Sequence, residues 1–256
     1  MLVNLPVKDN PKLNAILERM ERDRTVAGYW RMADLNSLRA GVNDHGPTHV
    51  KIVANIALKL HTLLTDAGVQ MSLVKDHGMT LHDSQVVVAL AGMLHDVGMN
   101  VHRDSHEEHS LFMAFEYLHE ALDEVYEPVE RVTIICETLH AMIGHNSHKK
   151  CFTVEAGIVK LADALDMTKW RSRAIIKAGR VSIHSLSAAA IDKVILDRGK
   201  VKPVGVEILM NSSAGIFQVD SLLKHKLLKS GIQDYIEVSA RIDGPARNER
   251  VPVYNL

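Results

Sequence analysis

Nine consecutive residues, Val86-Val87-Val88-Ala89-Leu90-Ala91-Gly92-Met93-Leu94, carry no polar side chain, and the next two are His95 and Asp96. A helix that is apolar on every side belongs in the middle of a core. The run therefore takes an imidazole and a carboxylate inside with it. Burying those groups is costly unless something pairs with them, and a bound cation is the expected partner. The other histidines are unevenly spread. His45 and His49 precede the pair, His102, His106 and His109 follow it, and His140, His145 and His148 come later. Asp163 sits inside a further apolar run.

The chain has 256 residues and 46 % apolar content, enough for one large domain or one large and one small. Thirty Lys and Arg nearly balance 31 Asp and Glu, so charge favours neither nucleic acid nor an anionic membrane, and an anionic ligand has to be held locally. Cys136 and Cys151 lack metal-type spacing and read as structural thiols of a reducing compartment. The start, Met1 to Pro6, is too short in apolar residues for a secretory signal. No segment approaches the roughly 18 uninterrupted apolar residues of a membrane span, which makes the cytoplasm the expected location.

Helical periodicity predicts Pro11 to Arg22 with Asn10 as cap, and Gly46-Pro47 opening a helix to Asp66 whose buried stripe begins at His49. Ser84 or Asp83 is expected to cap the central helix, and Gly98 to end it. Ser105 and Glu108 have capping-box spacing for a helix with Leu111, Phe115, Leu118 and Leu122 inside. Pro128 starts another, with Val129, Val132, Cys136, Leu139 and Ile143 inside, and Gly144 stops it. Glu155 to Asp166 continues the pattern. After Arg180 the texture becomes strand, strand, helix, strand: Lys193–Leu196, Val204–Leu209, Val219–Lys229 and Tyr235–Ala240. The expected architecture is mainly α, with a helical bundle over 1–180 and a small α+β domain over 181–256 whose sheet is mainly antiparallel.

The order His49, His95-Asp96, His106, His140 or His145, Asp163 resembles the HD-domain superfamily of metal-dependent phosphohydrolases over roughly residues 40 to 170. The segments carrying the resemblance are His49-x-x-x-Val53-Ala54, Leu94-His95-Asp96-Val97-Gly98 and Val159-Lys160-Leu161-Ala162-Asp163. The segment from Ala162 to Arg173, followed by His184 to Ala188, is similar to a largely archaeal group of uncharacterised members with a similar tail. The resemblance implies that His49, His95, Asp96 and Asp163 hold a first divalent ion, and that Asp96 bridges to a second held by His106 and His145. His109 competes with His106 for that role, and His140 with His145.

What the resemblance implies chemically is hydrolysis of a nucleotide or other small phosphoester by metal-activated water, with Asp96 orienting the water. Histidine and carboxylate ligands suit Mn, Fe, Ni, Zn and Mg to different degrees, and one or two ions are expected. Many relatives place a lysine directly after His-Asp-x-Gly, where this chain has Met99. Arg103, Lys169, Arg171 and Arg173 are the candidates for binding the phosphate, the alternative being a solvated basic helix end. His45 is a candidate neighbour of the substrate, although Asp44-His45-Gly46 also fits a turn and cap. Competing functions are an HD-fold di-iron oxygenase and a non-catalytic nucleotide sensor. A homodimer is expected, with the tail mediating dimerisation or covering the pocket.

Overall fold

The computed structural model describes residues 9–177, 179, 182–242 and 254–255. The division expected between 180 and 181, like the reading of Met1 to Pro6, falls outside the described residues. Helix α1 (Pro11–Arg22) starts as the sequence predicts, with Asn10 Oδ1 accepting the Leu13 amide at 3.0 Å. Asp23 caps α2 (Arg24–Ala40), whose Trp30 Nε1 donates to Met93 O at 2.9 Å and so pins α2 to the end of the apolar run. Then come α3 (Pro47–Asp66), α4 (Ser72–His77) and α5 (Leu81–Leu94).

Every residue from Val86 to Leu94 is buried, as their lack of a polar face requires. Each large aliphatic side chain among them contributes roughly 1.5–3 kcal/mol of burial. Around α5 pack α3, α7 (Pro128–Gly144) and α8 (Val154–Leu165), while α6 (His106–Leu122) packs on α7. Gly92 lets α3 and α5 touch, because a Cβ there would stand 2.9 Å from Ala54 Cα.

Three local expectations need correction. The cap of α5 is Thr80, not Ser84 or Asp83: Thr80 and Asp83 form a reciprocal capping box, while Ser84 is buried and donates to Glu155 Oε1 at 2.9 Å. Gly98 does not end the helix, which stops at Leu94; it sits in a 3-10 turn, Val97–Asn100, where a Cβ would meet His106 O at 2.0 Å. Ser105 adopts a left-handed backbone (φ 58°) and makes no capping hydrogen bond.

The inner faces of α6 and α7 also differ. Phe115, Val129, Val132 and Cys136 are exposed, and the buried sets are Ser110, Ala114, Tyr117, Leu118, Ala121 and Leu122 on α6, and Ile134, Ile135, Thr138, Ala141 and Met142 on α7. Both helices carry apolar side chains on two faces, so periodicity alone does not choose between them. The face with Ser, Thr and Ala lets the helices approach more closely.

Two short helices, α9 (Arg173–Lys177) and α10 (Ile183–Ala189), lead to the C-terminal part. It comprises β1 (Ile191–Arg198), β2 (Val204–Met210), a π-helical stretch Gln218–Leu223 running into α11 (Lys224–Ser230), β3 (Ile236–Ile242) and β4 (Tyr254–Asn255). The sheet order is β1-β2-β3-β4. Pairs β1/β2 and β3/β4 are antiparallel, but the central β2/β3 pair is parallel, with Val206 opposite Val238. The mainly antiparallel expectation thus holds for two of the three pairs, and the parallel one follows from α11: a helix between two neighbouring strands is the crossover that parallel pairing needs. One apolar cluster runs from Leu13 to Ala240, and the Cys151 amide donates to Lys229 O at 3.0 Å, tying α11 to the segment before α8.

Candidate metal centre

The helix ends converge on one buried point. His49 stands in the first turn of α3, His95 and Asp96 follow α5, His106 opens α6, His145 follows α7, and Asp163 lies in the last turn of α8. All six are buried. The two oxygens of Asp96 face different pairs of histidines. Oδ2 is 3.2 Å from His49 Nε2 and 3.2 Å from His95 Nε2, whereas Oδ1 is 3.3 Å from His106 Nε2 and 3.6 Å from His145 Nε2. Asp163 Oδ1 closes the first group, 3.3 Å from His49 Nε2 and 3.9 Å from His95 Nε2.

Each histidine spends its other nitrogen outward. Nδ1 of His95 donates to Gly92 O at 2.9 Å, that of His145 to Met142 O at 2.5 Å, that of His106 to Arg103 O at 3.0 Å, and that of His49 to Asp166 Oδ2 at 2.6 Å. A carbonyl or carboxylate accepting from Nδ1 leaves the Nε2 lone pair aimed inward, which is how metal-ligating histidines are held. Asp96 Oδ2 is buried with no hydrogen-bond partner. Four inward imidazole nitrogens around a carboxylate with one orphaned oxygen are a donor set that fits a divalent cation.

Electrostatics follow from the crowding. Burial opposes ionisation of Asp96, but His95, His45, His106 and His49 outweigh it and hold the carboxyl well below its usual range. Burial likewise opposes ionisation of Asp163, and Lys226, His49 and Arg171 hold it well below that range. Burial and Arg171 would lower His49, yet the surrounding carboxylates of Asp163, Asp166 and Asp96 carry it up to about 10. Desolvation lowers His145 and His45 well below the usual imidazole value.

Comparison with known proteins places this arrangement. The family model described as HD domain matches residues 46–168, the stretch that holds all six residues. A protein of Methanocaldococcus jannaschii, itself described as uncharacterised, is 38 % identical over 234 residues, covering 91 % of this chain and 90 % of its own length. The chain belongs to the HD-domain family. No solved structure matches it. HD domains form a superfamily of metal-dependent phosphohydrolases that bind divalent metals and act on small phosphorylated substrates.

The remaining sequence candidates divide. A cavity of about 510 Å³ opens over the cluster, lined by Asp96, His106, His145 and Asp163 and also by His45, Arg103 and Arg171. His45 is both neighbour and turn: its ring lies 5.8 Å from that of His49, and the Asp44 carboxylate accepts the Gly46 amide at 2.6 Å. Arg171 is fixed by donating to Asp44 O at 3.1 Å and Asp166 O at 3.0 Å, with Nη2 3.2 Å from His49 Nε2. Arg103 Nη1 lies 3.0 Å from the His106 ring.

The structure does not bring His140, Lys169 or Arg173 to the cluster. His140 is stacked on Phe152 and accepts the Phe152 amide at 3.1 Å, because its position five residues before His145 turns it to another side of α7. Lys169 pairs with Asp192 at 2.8 Å, and Arg173 is exposed at the start of α9. His109 belongs to none of the ligand groups among the described residues, its ring packing near Phe112.

Sequence reading missed Asp166, Lys226, Gln218 and His184. Asp166 follows Asp163 by three residues, a spacing that shares one helix side and was a usable signal. Lys226, which pairs with Asp163, and Gln218 and His184, which line the cavity, come from the C-terminal part and carried no local signal. Among the described residues no helix is long and apolar enough to cross a membrane.

Proposed function

We propose that this chain is a metal-dependent phosphohydrolase for a small phosphoester, a nucleotide being the narrower proposal. The observation that carries it is the Asp96 carboxylate, whose two oxygens face two separate histidine pairs while Oδ2 has no hydrogen-bond partner of its own. His49, His95, Asp96 and Asp163 would hold a first ion, and Asp96, His106 and His145 a second. Mn, Fe, Ni, Zn and Mg are the candidates. Such ions, when bound, polarise a phosphoryl oxygen and lower the pKa of water.

The chain's own residues supply the rest. Asp96 orients the attacking water, and Arg103 and Arg171 at the cavity wall bind the negatively charged phosphoryl group through charge-assisted hydrogen bonds. Burial of the six residues strengthens the electrostatic contacts they make with one another and with what they bind. The histidines stay oriented because their Nδ1 atoms are committed to fixed acceptors. We carry the homodimer, the cytoplasmic location and the two-part division at 180 as proposals, the first checked by light scattering on the full chain.

The test is a panel of nucleotides, phosphomonoesters and phosphodiesters assayed with each divalent ion restored to chelated protein. Metal-dependent hydrolysis by the wild type, abolished in a folded Asp96→Ala variant, is the expected result. Hydrolysis unaffected by that substitution, or oxygen consumption with no phosphate release, overturns the reading.

A further inference from the structure

The carboxylate of Asp163 is shared between two kinds of partner. Its Oδ1 faces the imidazoles of His49 and His95 and lies 3.8 Å from Arg171 Nη1, and its Oδ2 pairs with the ammonium of Lys226. Lys226 comes from α11, in the C-terminal part that lies outside the stretch matched by the family model. It reaches the cavity because the π-helical stretch Gln218–Leu223 leads into α11 and α11 packs on α8.

The other cations at the cavity are differently held. Arg171, which also reaches Asp163 Oδ1 at 3.8 Å, is locked in place by two backbone carbonyls. The ammonium of Lys226 has one partner among the described residues, Asp163, and lines the cavity beside it. The turn after Asp96 adds no charge of its own there, since Met99 is apolar and buried.

We propose that Lys226 is a substrate-binding residue that neutralises Asp163 until a divalent ion takes over that carboxylate, and then binds a phosphoryl oxygen of the substrate. The inference rests on the phosphohydrolase reading above. Its physical basis is charge balance. A divalent ion between Asp163 and the histidines competes for the carboxylate and repels the ammonium. Lys226, flexible along four methylenes, then turns its three donors to the nearest anion in the cavity. The C-terminal part thereby completes the site instead of merely covering it.

The experiment uses full-length Lys226→Gln and Lys226→Arg with two probes, Mn²⁺ alone titrated calorimetrically into chelated protein, and inorganic phosphate titrated into the Mn²⁺-loaded protein. Removing the competing ammonium in Lys226→Gln is expected to tighten Mn²⁺ binding by about threefold or more. The same variant is expected to weaken phosphate binding about tenfold. Lys226→Arg is expected to retain phosphate binding to within about threefold of wild type. Mn²⁺ and phosphate affinities both unchanged in Lys226→Gln overturn the proposal, as does weaker Mn²⁺ binding there, which would make the lysine a structural prop for Asp163. Failure of the phosphohydrolase reading looks different: the wild type itself would bind no Mn²⁺.

Discussion

His49 Nδ1 donates to Asp166 Oδ2 across 2.6 Å, with both groups buried. This contact sets the inward direction of Nε2 without Asp166 itself facing the cluster, and Asp166 Oδ1 is in turn held by Trp170 Nε1 at 3.1 Å. Substituting Asp166 by Asn weakens the acceptor and frees the imidazole to turn. Metal affinity is expected to fall by about 10- to 100-fold, with the helical circular dichroism unchanged. Calorimetric titration of the metal checks it, and an unaltered affinity would show that the orientation of His49 does not depend on the carboxylate.

Gly98 allows α6 to start directly over the turn that follows Asp96. A methyl group there would meet His106 O at 2.0 Å and Ser110 N at 2.4 Å, both backbone atoms that cannot swing away. Ser110 Oγ also accepts the Gly98 amide at 2.8 Å, so a shift breaks that bond as well. Gly98→Ala is expected to cost at least about 1–3 kcal/mol, read as a lower urea midpoint. An unchanged midpoint contradicts the close approach.

Lys160 is a fully buried lysine with no carboxylate partner in hydrogen-bond range among the described residues. It donates instead to Gly144 O at 2.8 Å, Asn146 O at 2.5 Å and Lys149 O at 2.7 Å, gathering the segment that carries His145. Lys160→Met removes three charge-assisted bonds from this segment, at a cost of about 3 kcal/mol. Faster amide hydrogen exchange confined to residues 144–149 is the local signature to expect. Exchange spread evenly over the fold would instead mean that the lysine supports the core at large.

The site was legible where one side chain defines one job. The apolar run made the burial of His95 and Asp96 unavoidable, and the order of histidines around it brought His49, His106, His145 and Asp163 within reach of a single hypothesis. What escaped was everything that depends on direction. Phe115 and Val132 have the right period for a core but lie on the wrong face of helices that are apolar on both sides. Thr80, three residues ahead of Asp83 and four ahead of Ser84, forms the box because Asp83 turns back to it. Lys226 is separated from Asp163 by 63 positions, and only the crossover between β2 and β3 brings the two together.

His61 offers a pH test away from the metal cluster. It is buried on α3, with Nε2 3.1 Å from Ser84 Oγ and Nδ1 unpaired, and desolvation pulls it from an ordinary 6.5 to about 4. The unfolded chain therefore binds this proton between about pH 6.5 and 4 while the folded chain does not, so folding stability drops as pH falls through that window. The loss attributable to His61 is about 3 kcal/mol. Urea denaturation at pH 4.5 and 7 is expected to show a smaller pH difference in His61→Gln than in the wild type. Equal differences would mean that the buried imidazole is protonated in the folded state.

The most direct measurement is the metal content of the full-length protein, by elemental analysis after saturation and exhaustive dialysis, for the wild type beside Asp96→Ala. Because Asp96 faces both histidine pairs, its loss is expected to remove both ions from a wild type that retains two. A wild type that retains none, or an Asp96→Ala variant that keeps the wild-type content, contradicts the metal centre on which the functional account stands.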